Sequence, residues 1–274
     1  MLCSHPKKTS VGGNGYPVAC RKCMPCRLNR RKELTARIIM ETMSHEHSIF
    51  VTLTYADQFL PDIDQHPNGN IYKKEIQNFL KRLRFSLSKN QQIRYFAVGE
   101  YGEKSGRAHY HLIIFNMDYS ERSEQLINTA WQKGHIRVDE NNEKSASYVA
   151  RYTTKKLGGD LAVEKYQGKN PEFALYSRKP ALGTETATLI AETMAASKSR
   201  NFLYEGVIRM KGKKYKLDEF MLRHISWYYQ KLTGEPMRPE KHVHLTHQEQ
   251  YELRKISRRI SQKIFNKSVS NEKI

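Results

Sequence analysis

Two histidines one residue apart inside an apolar run are the first sign of chemistry in this chain. In Gly106-Arg-Ala-His-Tyr-His-Leu-Ile-Ile-Phe115 the residues from Tyr110 onward are apolar or β-prone, so a strand is predicted over His109 to Phe115. Side chains alternate along a strand, which puts His109 and His111 on one face and Tyr110, Leu112 and Ile114 on the other. Two imidazoles a pleat apart can grip one metal ion. His45-Glu-His47 and His242-Val-His244 repeat the spacing in polar, charged surroundings that suit solvated surface. Only at His109 would burying two imidazoles without partners be costly. The pair reads either as a metal or phosphate site or as a satisfied structural pair, and spacing alone leaves both open.

Glu100 follows the predicted strand Ile93–Val98 and faces the His strand across a hairpin-like polar turn. A carboxylate there is a candidate third ligand, and a mixed nitrogen and oxygen set leaves positions for water and phosphate oxygens. The plainer reading is a solvent-exposed glutamate beside a turn. Tyr148 and Tyr152 stand four apart in a predicted helix, Ser145 to Leu157, and share one face. Arg151 and Lys155 follow them by three positions, with Lys156 next. Tyrosines at this spacing usually pack a core, but the helix has few aliphatic residues for one, and cations beside a phenol favour its ionised form.

Cys20-x2-Cys23-x2-Cys26, with Cys3 or His5 upstream, uses every cysteine of the chain. The spacing suits thiolate coordination of structural Zn2+, which takes four ligands, so Cys3 or His5 would have to close the site. The other reading is reduced cysteines in a loop. The next segment, Arg27 to Thr42, is predicted helical, with Leu28, Leu34, Ile38 and Ile39 as a partial apolar stripe. Arg27, Arg30, Arg31, Lys32 and Arg37 make the remainder basic, which suits contact with a nucleic-acid backbone or a solvated face.

Charge tilts that choice. Lys and Arg number 47 against 28 Asp and Glu, a net charge of +19 on 274 residues. Such an excess calls for a polyanionic partner, nucleic acid before an acidic membrane surface, because each cation that neutralises a phosphate releases a counterion. No apolar run reaches the length of about 18 residues that would span a bilayer. The N-terminus lacks a signal-peptide pattern. A cytoplasmic, reducing compartment is therefore expected, without structural disulfides.

The elements that must position these groups are legible in outline. Ile49–Tyr55 is predicted as a buried strand, and Lys73–Lys89 as a helix after a Pro- and Gly-containing loop. Ser120–Lys133 is predicted as a helix capped by Ser120 and ended by Gly134, with a short strand at His135–Val138. Beyond Gly159 the signals weaken. Residues 165–183 read as loop, Ala181–Ser197 as a helix, Val207–Leu217 as a basic hairpin and Asp218–Leu232 as a helix. A last helix opens at Thr246-x-x-Glu249 and runs through Phe265. There is no internal repeat.

Three pieces in this order resemble the HUH endonuclease superfamily: Phe50-Val-Thr-Leu-Thr-Tyr55, Gly99-Glu-Tyr-Gly with His109-Tyr-His111, and Tyr148-Val-Ala-Arg-Tyr152-Thr-Thr-Lys155-Lys156. Tyrosines after the His pair resemble replication initiators and not conjugative relaxases. The Cys20–Arg30 segment and Ser177-Arg-Lys-Pro-Ala-Leu-Gly183 look like the replication initiators of gokushovirus-type microviruses, a resemblance that covers Cys20 to Gly183. It implies an α+β fold, a mainly antiparallel sheet flanked by helices with a helical C-terminal extension. The implied division is 1–45 for the cysteine cluster and basic helix, 46–160 for the nuclease core and 161–274 for a basic extension.

The implied chemistry is that of an endonuclease and strand-joining enzyme of rolling-circle replication. His109, His111 and Glu100 would hold Mg2+ or Mn2+, and Tyr148 or Tyr152 would attack a phosphorus to leave a 5′-phosphotyrosine and a 3′-hydroxyl primer. Lys155, with Lys156 or Arg151 as substitutes, would lower the phenol's pKa or hold phosphate. The implied partners are single-stranded origin DNA, gripped by Arg27, Arg30, Arg31 and Arg151 with Tyr110 or Tyr101 for stacking, and the host replication machinery in the bacterial cytoplasm. The rival from another class is a non-enzymatic basic nucleic-acid-binding protein with a zinc knuckle.

Overall fold

A strand that is apolar on both faces needs cover on both sides, and Ala108–Phe115 (β5) has it. The structure is a computed structural model describing residues 2–8, 17–152, 166–197, 206–210 and 212–235. Contacts divide it into a unit within Met1–Glu33 and a larger one over Leu34–Met237. In the smaller unit Lys7–Lys8 (β1) pairs antiparallel with Pro17–Val18 (β2). The helix Met24–Met43 (α1) begins there.

The larger unit is built on five antiparallel strands: Ser48–Tyr55 (β3), Arg94–Tyr101 (β4), β5, Gly134–Glu140 (β6) and Phe173–Tyr176 (β7). Their order is β6-β3-β5-β4-β7, which puts β5 at the centre. The predicted mixture of helices with a mainly antiparallel sheet is what forms.

Lys73–Ser86 (α2) and Glu121–Trp131 (α3) cover one face. α2 repeats Ile76, Phe79, Leu80 and Leu83 at helical spacing, and they pack with Trp131 and Ile127 of α3 against Leu53, Tyr110 and Leu112. The other face, which carries the two histidines, is covered by the part of α1 from Leu34 onward, by Glu143–Tyr152 (α4), by Thr184–Ser197 (α5) and by Glu219–Thr233 (α6). Val207–Met210 (β8) and Lys213–Lys216 (β9) form the predicted basic hairpin beside it.

Several boundaries differ from the sequence reading. Ser120 does cap α3, its hydroxyl accepting from the Ser123 N–H at 3.3 Å. The helix ends at Gln132, which takes the left-handed conformation expected of Gly134. Gly134 instead opens β6. β7 lies within residues read as loop, because four residues carry too little periodicity and only the edge of β4 makes a strand of them. Arg37 is not part of a nucleic-acid-facing surface: its Nε donates to Asp218 Oδ2 at 2.7 Å and its guanidinium lies 4.8 Å from the Phe220 ring. The predicted helix from Thr246 and the pair His242/His244 lie outside the described residues.

One carboxylate ties three of these elements together. Glu41, 2% exposed on α1, pairs with Arg94 of β4, takes the Gly183 N–H at 2.7 Å and lies 3.1 Å from His45 Nε2. Burial would raise its pKa, but the bonds from His45, Arg94 and Gly183 outweigh it and hold the carboxyl below its ordinary value of 4.5.

Two measurable consequences come from this packing. Glu41→Ala leaves Arg94 unpaired and should cost about 3–5 kcal/mol in urea denaturation near neutral pH. The native carboxyl titrates below the unfolded one, so its contribution is present above pH 4.5 and is lost as pH falls below it; wild type and variant should converge there. Gly134 holds φ +145 with Ala56 N only 2.2 Å from where a Cβ would stand, whereas Gly212 has nothing within 4 Å. Gly134→Ala should therefore lower stability by about 3 kcal/mol or more, against about 1 kcal/mol for Gly212→Ala.

Candidate active site

The register of β5 with its neighbours assembles the cluster. Glu100 on β4 pairs with His109, Thr52 on β3 pairs with His111, and directly paired residues of an antiparallel ladder share a face. Glu100 therefore lies within β4 and under the helices, 2% exposed, and not on a solvated turn.

Its Oε1 stands 2.9 Å from His109 Nε2 and 3.0 Å from His111 Nε2, and the two nitrogens are 3.1 Å apart. Three donor atoms at these separations match three adjacent corners of an octahedron with bonds of about 2.1 Å, where neighbours stand about 3.0 Å apart. The residues present thus fit a hard divalent cation with positions left open for other ligands. Burial raises the Glu100 pKa, yet the hydrogen bonds from His109 and His111 overcome that and bring it down to about 2. It is a carboxylate at any physiological pH.

The outer side of each imidazole is fixed as well. His109 Nδ1 donates to the Arg107 carbonyl at 2.9 Å, which leaves the lone pair of a neutral ring on Nε2, facing the cluster. His111 Nδ1 meets the Thr52 hydroxyl at 3.0 Å. Thr52 went unnoticed in the sequence; the alternation Phe50-Val-Thr52 marks its face, but only the pairing of β3 with β5 shows which histidine it meets.

α4 lays both tyrosines over this face. The Tyr148 hydroxyl is 3.5 Å from His111 Nε2, and 36% of the residue is exposed. Tyr152 is 4% exposed, its ring near-parallel to that of His111 with centroids 5.7 Å apart. Burial pushes the Tyr152 phenol up, and the charge of Glu100 adds to the shift. The two phenol rings meet edge to face at 5.0 Å. The Arg151 guanidinium lies 5.2 Å from the Tyr148 ring centre and 5.5 Å from that of Tyr152. Lys155 and Lys156 lie outside the described residues.

An open groove of about 640 Å3 leads to Tyr148, lined by Phe50, Thr52, Arg137, Asn142, Lys144 and His111. A larger cavity, about 840 Å3, lies against Arg94, Tyr176 and Lys179 and touches none of the three candidate ligands. The groove is the one that meets the chemistry.

Other expected site residues fall elsewhere. Tyr110 cannot stack on a base: it is fully buried on the opposite face, its hydroxyl 2.8 Å from that of Tyr55 and accepting from the Tyr72 N–H at 2.9 Å. Pleat alternation had already put it away from the histidines; what the sequence lacked was the layer formed by α2 and α3. Tyr101 is half-buried and its hydroxyl donates to Asn70 and to the Asn170 carbonyl, each at 2.8 Å. Arg27, Arg30 and Arg31 are half-buried along the first turns of α1, and Arg30 pairs with Glu33 at 3.5 Å. Cys3, Cys20, Cys23 and Cys26 come together, all four Sγ atoms within 4.8 Å of one another. Among the described residues no helix is long and apolar enough to cross a membrane.

The chain has recognisable relatives. It is 38% identical over 157 residues to replication-associated protein ORF2 of Spiroplasma virus 4, covering 52% of this chain and 49% of that protein. It is 36% identical over 167 residues to replication-associated protein VP4 of Bdellovibrio phage phiMH2K, covering 55% and 52%. Against replication-associated protein ORF4 of Chlamydia phage 1 the identity is 35% over 171 residues, covering 55% and 41%. The chain thus spans about half the length of these relatives, or less. No solved structure matches. Residues 48–157, which run from the start of β3 past α4 and so hold Glu100, both imidazoles and both phenols, match the family of the replication-associated protein ORF2.

Proposed function

We propose that this chain starts phage DNA replication by cutting one strand of single-stranded origin DNA, with Tyr148 as the first nucleophile. The observation that carries this reading is the Tyr148 hydroxyl, 3.5 Å from a ligand nitrogen of the Glu100/His109/His111 cluster and open to the groove. The net charge of +19 and the relatives' names point the same way.

Glu100, His109 and His111 would hold Mg2+ or Mn2+, which polarises a phosphate and stabilises the charge that develops on its oxygens. Tyr148 Oη attacks the phosphorus, its proton passing to water in the groove. The Oη–P bond forms, the P–O3′ bond breaks, and the departing 3′-oxygen takes up a proton. The products are a 5′-phosphotyrosine and a 3′-hydroxyl on which a host polymerase can build. Arg151, beside both rings, favours the ionised phenol of Tyr148, and Lys155 and Lys156 neutralise phosphate. Tyr152, buried and with its phenol pushed up, is the poorer nucleophile at the start. It serves in the second cut, whose product strand is then joined into a circle. Arg27, Arg30 and Arg31 grip the backbone of the bound strand.

The test is a covalent one. Full-length protein is mixed with Mn2+ and a randomised single-stranded DNA pool labelled at either end. The 3′ label should migrate with denatured protein, and the 5′ label should appear on free DNA ending in a 3′-hydroxyl. Tyr148→Phe should reduce the adduct by about 1,000-fold or more, while Tyr152→Phe leaves its first formation nearly unchanged. His109→Ala with His111→Ala should abolish it. An adduct that persists in the double Tyr→Phe variant would leave a basic binding protein as the better reading. A second outcome is expected at Thr52: Thr52→Val should weaken Mn2+ binding by about 10- to 100-fold in titration calorimetry, because the His111 ring loses its outer partner.

A further inference from the structure

The four cysteines take no part in strand cutting, and they lie outside residues 48–157. Cys3 precedes β1, Cys20 and Cys23 lie between β2 and α1, and Cys26 stands in the first turn of α1. His5, the other candidate to close the set, is exposed and outside the cluster, so Cys3 closes it.

The sulfur geometry is specific. Cys3 Sγ and Cys23 Sγ are 3.7 Å apart. A disulfide would bring them to about 2.05 Å. Four sulfurs held tetrahedrally at about 2.3 Å from one ion stand about 3.8 Å from each other. The backbone is turned towards the same sulfurs. The Cys20 N–H donates to Cys3 Sγ and the Cys23 N–H to Cys20 Sγ, both at 3.3 Å. Amide donors of this kind spread the charge of metal-bound thiolates. Arg21, between the first two knuckle cysteines, holds a left-handed φ of 61°. A side chain there costs about 1–2 kcal/mol, which an untethered loop would relax.

Burial does not explain this arrangement. Of the described residues within Met1–Glu33, only Pro25, Cys26 and Leu28 are buried, too few for an apolar core. The geometry points to a structural zinc ion held by the thiolates of Cys3, Cys20, Cys23 and Cys26, independent of the nuclease metal, that folds the N-terminal unit. With all four positions taken by sulfur, no site remains for water or substrate, so the ion has no part in catalysis. Its binding energy is folding energy for the segment leading into α1 and its arginines.

The test uses the full chain, purified without chelator. Metal analysis should give about one zinc per chain, retained in the His109→Ala/His111→Ala protein and lost in Cys20→Ser/Cys23→Ser. Replacing zinc by Co2+ in the wild type should give an intense thiolate-to-cobalt absorption in the near ultraviolet with tetrahedral bands in the visible, a readout that does not depend on how the variants fold. Hydrogen exchange after zinc removal should rise in residues 17–33 while β3, β4 and β5 stay protected. Wild type that binds neither zinc nor cobalt through sulfur would overturn the assignment. So would zinc that survives loss of Cys20 and Cys23, or zinc that leaves with the two histidines.

Discussion

The pairing of Glu100 with His109 across two antiparallel strands is the constraint on which the rest depends. A shift of one residue between β4 and β5 would turn Glu100 to the α2/α3 face and put Gly99 or Tyr101 in its place. Apolar packing on both faces fixes the register. Phe96, Val98 and Ile113 must meet the α1/α4 side, while Ala97, Leu112 and Ile114 must meet α2 and α3. A slip would turn both sets to the wrong side together. The position of a charged carboxylate is thus enforced by hydrophobic burial, which has no chemistry of its own.

The same division of labour runs through the site. The sheet supplies rigid ligands, Thr52 and the Arg107 carbonyl hold the far sides of the rings, and α4 brings phenols from above. Glu41 anchors α1 to β4 and to the chain just before α5, and so keeps that helical layer seated on the sheet. The site is built on regular elements, whose side chains are better fixed than those of loops.

Local periodicity made part of this legible. A period of two gave the shared face of His109 and His111, and a period near four gave the shared face of Tyr148 and Tyr152. What it could not give was anything set by partners distant in sequence. Glu100 looked like a turn residue because β4 runs three residues past the apolar stretch that announces it. Tyr110 looked available because nothing local shows that α2 and α3 cover its face. β7 was invisible because its strand character comes from the edge of β4. The choice between Cys3 and His5 needed a fold in which residues about 20 apart in sequence meet.

The two phenols ride on one helix, one turn apart, over a sheet that has no hinge between them. A turn of helix advances about 5.4 Å, and the ring centres here are separated by 5.0 Å. On the proposed reading the handover from one tyrosine to the next is then a short slide of the nucleic-acid end along a fixed track. The moving part of the machine is its substrate, and the protein works as a rail.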